Sequence, residues 1–250
     1  MSARPDRRFT DRVVALHGFT QDHHHALPLA LDVALVAPFG TVVAPDLPGH
    51  GLSTDDRADF EATAEGLPER CGPGTYIGYS MGGRVALAAA ITRPDLVERL
   101  VLIGATAGID DEAARAERRD LDERRAGRIE EIGVDVFVDE WLAAPMFARL
   151  PQDPRGLRRR RLNTPAGLAH SLRTAGTGSQ PSLWSRLGEI SAPTLVLAGE
   201  RDEKFTGIGR RLVAGIPDAN FASIPDAGHA AHTEQRTATT EAIIAWLRHR

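Results

Sequence analysis

The chain has 250 residues, 42% hydrophobic and 26% charged, which are the proportions of a folded globular protein and exclude wholesale disorder. Thirty basic against thirty-four acidic side chains leave a net charge of −4, without the basic excess of a dedicated nucleic-acid binder. The longest apolar run, Val85–Ile91, is too short to cross a bilayer, and residues 1–12 lack the apolar core of a secretory leader.

Short apolar, β-branched runs recur at Arg12–Leu16, Thr41–Pro45, Thr75–Tyr79, Leu100–Gly104, Thr194–Gly199 and Asn220–Ile224. None alternates strictly, as expected of strands buried on both faces of a parallel sheet. Helix-length segments lie between them. Room for one modest helix remains between Gly51 and Thr75, Met81–Arg93 is alanine-rich and stops before Pro94, and Gly207–Gly215 and Gln235–Arg248 also read as helices. The alternation predicts an α/β fold with a mostly parallel central sheet flanked by helices. It breaks between Asp110 and Pro181, where Asp111–Glu131 is highly charged and Val134–Ala143 and Pro165–Thr174 read as short helices. The expected organisation is a core over 1–109, a helical lid over 110–181 and a second part of the core over 182–250.

The chemistry centres on Gly78-Tyr79-Ser80-Met81-Gly82, placed between a predicted strand and a predicted helix. In that context G-x-S-x-G forms a nucleophile elbow, a strained turn that exposes the serine hydroxyl and needs glycines where side chains would collide with backbone. A bare glycine-rich strand-to-helix turn is the plain alternative. A serine becomes reactive when a histidine takes its proton and a carboxylate orients the histidine. Asp202 follows the strand Thr194–Gly199, and His229 follows Asn220–Ile224 after a gap of 27 residues from Asp202, in the order Ser, acid, His. Taken singly, Asp202 reads as a helix cap and His229 as a surface histidine; Glu200 and Asp226 are rival acids. Developing negative charge needs donors, assigned to the backbone N–H groups of Phe19, after the first strand, and Met81.

Other features read as structural. Asp46–Gly51 is a turn. His23, His24 and His25 read as solvated loop or helix-start residues, with no carboxylate cluster nearby to complete a metal site. Cys71 cannot form an internal disulfide and reads as inert packing. The single lysine, Lys204, is taken as a mark of nucleotide composition and not as chemistry. From Trp141 to Gln180 seven arginines face one acid, Asp153, whereas Asp110–Glu140 holds six arginines and twelve acids. Guanidinium groups pair with carboxylates through planar double hydrogen bonds, so the cationic half of the lid, together with Arg84 one turn past the elbow, suggests a polyanionic small molecule.

These residues resemble the α/β-hydrolase superfamily across nearly the whole chain. Within it, four stretches are similar to the 2-succinyl-6-hydroxy-2,4-cyclohexadiene-1-carboxylate synthases of menaquinone biosynthesis: G-Y-S-M-G-G-R-V-A-L at 78–87, W-L-A-A-P-M-F-A-R-L at 141–150, G-E-R-D-E-K-F at 199–205 and A-G-H-A-A-H at 227–232. The resemblance implies a lyase that removes a ring proton and releases pyruvate without adding water. In it Ser80, His229 and Asp202 act as the base, with Phe19 and Met81 holding enolate-like charge. It also implies that Tyr79, Arg84, Arg118, Trp141 and Arg160 line the substrate site, Arg161 being an equal register for the last. Gly104-Ala105-Thr106 departs from the family, which often has a proline there. The same triad would serve a carboxylic-ester or carbon–carbon bond hydrolase, and a non-catalytic receptor on this fold is a third reading. The expectation is a cytoplasmic monomer or small homo-oligomer without cofactor or metal, acting on a small anionic substrate with carboxylate groups, with no nucleic-acid partner and no membrane insertion.

Overall fold

A computed structural model describes residues 9–37 and 39–249. Residues 1–8, most of the polar stretch read above for a leader, lie outside the described residues. In chain order the elements are β1 (Arg12–Leu16), α1 (His23–Val36), β2 (Thr41–Val43), α2 (Phe60–Cys71), β3 (Gly74–Tyr79), α3 (Met81–Thr92) and β4 (Val97–Ile103). Then come α4 (Glu112–Leu142), α5 (Pro154–Arg160), α6 (Pro165–Ala175), β5 (Thr194–Gly199), α7 (Glu203–Gly215), β6 (Ala219–Ile224), α8 (Ala231–Glu234) and α9 (Arg236–Leu247).

The strands form one sheet in the order β2-β1-β3-β4-β5-β6, and every neighbouring pair is parallel. Both faces are covered, which is why the strand sequences do not alternate. Val14, Leu16, Leu100 and Leu102 pack with α2, α3 and Leu212 of α7 on one face. Val13, Ala15, Val101 and Ile103 pack with Leu29 and Val33 of α1 and with Ile243 and Trp246 of α9 on the other. The chain leaves β1 for β2 on one side and returns to β3 on the other. The carboxyl ends of β1 and β3 therefore flank the switch point where open parallel sheets bind ligands.

The strand predictions agree with the structure at their centres and differ at the ends. β4 begins at Val97, three residues before the predicted start, because Glu98 and Arg99 broke the apolar run in the sequence although they lie in the half-buried start of the strand, where Glu98 accepts hydrogen bonds from Thr10. β2 stops at Val43, short of Pro45. α7 begins at Glu203, four residues before the predicted start, because Asp202 caps it. α1 was not predicted: three histidines and an internal Pro28 hide a helix that Asp22 caps.

Between β4 and β5 the chain is helical. Asp111 caps α4 through the Ala114 N–H at 2.8 Å. The charged stretch Asp111–Glu131 and the predicted short helix Val134–Ala143 are joined in α4, with the break at Gly133, whose φ of 79° suits glycine. Asp153 and Thr164 cap α5 and α6, and each is followed by a proline in the first helical position, where a missing N–H costs nothing. α4 and α6 share a small core of Ala126, Ile129, Phe137, Val138, Leu168 and Leu172. Phe19, from the loop after β1, packs against that core and also against the main one. No helix among the described residues is long and apolar enough to cross a membrane.

The ends of β5 and β6 approach very closely. A Cβ on Gly199 would lie 2.1 Å from the Gly228 carbonyl oxygen and 2.4 Å from that of Ala227. Gly199→Ala therefore has to push apart the two loops that carry Asp202 and His229. The expected loss of stability is about 1–3 kcal/mol, read as a lower midpoint in urea unfolding.

Candidate active site

Ser80 sits between β3 and α3 with φ 50° and ψ −108°, a conformation that a side chain rarely adopts and that costs about 1–3 kcal/mol. Its N–H is held by the Ile103 carbonyl at 2.9 Å. The turn closes because its glycines have no side chains. A Cβ on Gly78 would lie 2.5 Å from the Gly82 oxygen, and one on Gly82 would lie 2.4 Å from the Leu16 oxygen. Met81 opens α3, so its N–H has no acceptor within the helix.

The acid and the histidine come from the neighbouring strand ends. Asp202 uses its two oxygens differently: Oδ1 accepts the Phe205 N–H at 3.1 Å as the cap of α7, and Oδ2 lies 2.8 Å from His229 Nδ1. The cap and the triad partner are thus one residue. His229 Nε2 lies 3.3 Å from Ser80 Oγ. The imidazole is almost wholly buried, with Phe205 at 4.4 Å and Tyr79 at 5.5 Å between ring centroids. Gly104 lets the ring pass over the end of β4, since a Cβ there would meet His229 at 3.1 Å. The rival acids face elsewhere: Asp226 pairs with Arg201 at 2.8 Å, and Glu200 accepts the Asp226 N–H.

Buried neutral histidines position the Phe19 loop. His17 donates through Nδ1 to the Gly18 carbonyl at 2.9 Å and accepts the Leu47 N–H on Nε2 at 3.0 Å. His50 donates through Nδ1 to the Pro48 carbonyl at 3.0 Å and accepts the Thr20 N–H on Nε2 at 3.2 Å. These bonds make Asp46–Gly51 a structural turn that braces the loop after β1. Asp46 itself accepts the N–H groups of His23 at 2.6 Å and Leu52 at 2.8 Å.

Carboxylates do stand beside the histidine run, contrary to the sequence expectation. His23 Nδ1 lies 2.9 Å from Asp46 Oδ2, and His25 Nδ1 lies 2.7 Å from Asp22 Oδ1. Asp22, His23 and His24 offer ligand atoms within 4.8 Å of one another. Asp22 is nevertheless occupied as the cap of α1, and the His23 ring is occupied by Asp46. Asp22 directly precedes the run and was legible; Asp46 reaches it from 23 residues away and was not.

Above Ser80 and His229 lies a cavity of about 330 Å³, roofed by α4, α5 and α6. Tyr79, Arg84, Arg118, Trp141 and Arg160 all line it; Arg161 instead turns to Asp139 at 2.7 Å. Arg84 is buried, and among the described residues it donates only to neutral oxygens, those of Gln180 at 2.9 Å and Ala175 at 2.8 Å. Burial lowers its pKa to about 10, so it stays cationic at neutral pH. Arg160, also buried, donates to the Phe19 carbonyl at 3.4 Å and to the Thr20 hydroxyl, and burial lowers its pKa too. Arg118 lies 2.9 Å from Asp122, the buried acid it shares with Arg125.

The sequence reading missed Arg125, Lys204 and Phe205 in the cavity wall. Arg125 was legible, since it stands two helical turns after Arg118 on the same face of α4. Lys204 was set aside as composition, yet it stands on the wall beside Phe205. Most other arginines of the segment face outward, as Arg173 does between Glu123 and Glu130. Buried Cys71 packs in the main core, where desolvation raises its thiol to about 11 and keeps it protonated.

The architecture and the elbow define a class, and the chain belongs to the α/β hydrolase family, whose profile matches residues 13–242. Its relatives narrow the class. The 2-succinyl-6-hydroxy-2,4-cyclohexadiene-1-carboxylate synthase of Salmonella typhimurium is 32% identical, over 98% of this chain and 96% of that protein. A Bacillus subtilis protein provisionally given the same name is 39% identical, over 90% of this chain and 86% of that one. The solved structure of MenH from S. aureus superposes with a TM-score of 0.87 at 33% identity, covering 97% of this chain and 96% of that one.

Burial depresses three histidine pKa values from 6.5, His17 to about 4 and His50 and His232 to about 3. Each stays neutral when folded and gains a proton when unfolded below 6.5, so stability falls as pH drops from 6.5 towards 4. Each contributes a slope of up to about 1.4 kcal/mol per pH unit. Urea unfolding at a series of pH values across that window should show the fall, and His50→Gln should make it shallower.

Proposed function

We propose that this chain is a lyase of menaquinone biosynthesis that eliminates pyruvate from a succinyl-cyclohexene carboxylate, the activity for which its relatives are named. The observation that carries the proposal is the cavity itself. It places a buried arginine with no carboxylate partner among the described residues, Arg84, in the same chamber as a Ser80–His229–Asp202 relay. A desolvated cation bonded only to neutral oxygens favours an anionic ligand that replaces its lost hydration. Substrate carboxylates fit that need, with Arg118, Arg125 and Arg160 supplying further positive charge.

The chemistry follows from the relay. Ser80 Oγ passes its proton to His229 Nε2, and Asp202 holds the imidazole by Nδ1 and stabilises its charge. The serine oxygen then takes the ring proton of the substrate. As that C–H bond breaks, its electron pair moves onto the conjugated carbonyl oxygen, where the N–H groups of Phe19 and Met81 offset the charge. The pair returns to form the ring double bond and breaks the C–O bond to the three-carbon group. A proton delivered to that group lets it leave as pyruvate. No water is consumed, and no cofactor is required by this route.

The segment over 110–181 acts as a lid in this reading, with its α4–α6 face forming the roof. The enzyme works in the cytoplasm as a monomer or small homo-oligomer. The alternative is an ester or carbon–carbon bond hydrolase, in which Ser80 attacks the carbonyl and forms an acyl-serine.

Incubation with the succinyl-cyclohexene substrate should release one pyruvate per turnover without an acyl-enzyme in intact-mass spectra. An acyl burst with p-nitrophenyl esters and no pyruvate would overturn the lyase reading. Ser80→Ala should lower kcat by at least about 10³-fold. Removing the charged hydrogen bonds of Arg84 should lower kcat/KM by about 10–100-fold; an unchanged value in Arg84→Ala removes that residue from the site.

A further inference from the structure

The loop carrying Phe19 is fastened to the helical segment by one side chain used three times. Asn163, buried between α5 and α6, donates through Nδ2 to the Thr20 carbonyl at 2.8 Å and to the Arg160 carbonyl at 3.0 Å. Its Oδ1 accepts the Gly51 N–H at 2.9 Å. Three chain segments therefore meet on a single amide: the loop after β1, the turn at Gly51 and the end of α5. The assignment of Nδ2 and Oδ1 follows from the partners, since two are carbonyls and one is an N–H.

Thr20 is the residue that needs holding. It is fully buried, β-branched and left-handed, with φ 66°. Threonine does not choose that conformation unaided, because its Cβ substituents crowd the following carbonyl. Its backbone is gripped from both sides. The N–H goes to His50, in the turn beside Gly51, and the carbonyl goes to Asn163. The peptide joining Phe19 to Thr20 is held at its other edge by Arg160, which donates to the Phe19 carbonyl at 3.4 Å and also to the Thr20 hydroxyl. The Phe19 N–H belongs to the preceding peptide, whose Gly18 carbonyl is held by His17 Nδ1 at 2.9 Å and by the Gln21 N–H at 3.1 Å. With the peptides on both sides of Phe19 held, rotation at Phe19 that would re-aim its N–H is restricted.

We propose that Asn163 is a positioning residue for the Phe19 N–H: by locking Thr20 in its left-handed conformation it restricts rotation at Phe19 while the α5–α6 segment sits on the core. The proposal rests on the reading above that the Phe19 N–H holds oxyanion charge. It also gives Arg160 a second task. A substrate carboxylate drawn to Arg160 acts on a side chain bonded to Phe19 and to Thr20, the second of which Asn163 also anchors, so occupation of the cavity and alignment of the donor are joined.

The control is a second fastener that does not touch Thr20. Thr54 Oγ1 lies 2.6 Å from Thr164 Oγ1 and ties the same segment to the same turn. Asn163→Asp keeps the acceptor for Gly51 and sets a carboxylate oxygen against the Thr20 carbonyl; Thr54→Val removes only the tie. Two readouts are taken: the rate at which a fluorophosphonate labels Ser80, which needs oxyanion stabilisation but no natural substrate, and kcat and KM for pyruvate release. Asn163→Asp should slow labelling and lower kcat by about tenfold or more, with KM changed less than about threefold. Thr54→Val should keep both rates within about twofold while lowering the thermal midpoint. Labelling of Asn163→Asp within about twofold of the parent, or an equal loss in both variants, overturns the proposal. If Asn163→Asp does not fold, Asn163→Ala is judged by the same criteria. Slow fluorophosphonate labelling of Asn163→Asp, together with a parent protein that releases no pyruvate, would sustain the positioning role and reject the lyase.

Discussion

The backbone of Gly78 lies against that of Gly82 and Gly83 more closely than any Cβ would permit, and the rest of the site depends on that contact. It lets β3 turn into α3 within one residue, and that residue is forced into a left-handed conformation with its hydroxyl on the outside of the turn. The strain is local, but the restraint is global. Ser80 is pinned by Ile103 of β4, and β4 lies in the middle of a sheet buried on both faces. A core of this kind transmits rigidity, because close-packed side chains leave no room for the turn to relax.

The remaining groups proposed for catalysis come from the same edge of the sheet and follow the order of its strands. Phe19 follows β1, Ser80 follows β3, and Asp202 and His229 follow β5 and β6. The strands themselves hold little that is polar. Polar atoms gather in the loops, where each has partners: Asp202 serves both His229 and its own helix, and His17 and His50 each span two loops through both ring nitrogens. The helical segment supplies what the sheet lacks, namely positive charge over an apolar floor. Arg84 is the exception, a guanidinium on the core side of the chamber whose hydrogen bonds reach up to Ala175 and Gln180.

Much of this was legible in the chain. The strand cores and the elbow could be read because buried parallel strands and the G-x-S-x-G turn leave compact local signatures. Asp202 and His229 could be placed by order after two strands, although neither is distinctive alone. Features that depend on contact between remote segments left no local trace. Asp46 comes to the histidine run from 23 residues away, and Asn163 reaches Thr20 from 143 residues away, so neither could be seen by reading along the chain. α5 was hidden for a different reason, since its arginine-rich sequence shows no apolar face to betray a helix. Lys204 was visible but misweighed, because rarity was attributed to composition when its position two residues after the triad acid was the better guide.

That position has a practical side. The chain carries one lysine, and it stands on the wall of the chamber beside the ring that packs on His229. Coupling chemistry aimed at side-chain amines, such as biotinylation or attachment to an activated bead, has a single address in this protein, and that address is the wall of the cavity above Ser80. A preparation tethered through that lysine carries its linker in the chamber wall, so tags for surface work belong on an arginine-rich outer face, engineered through a thiol.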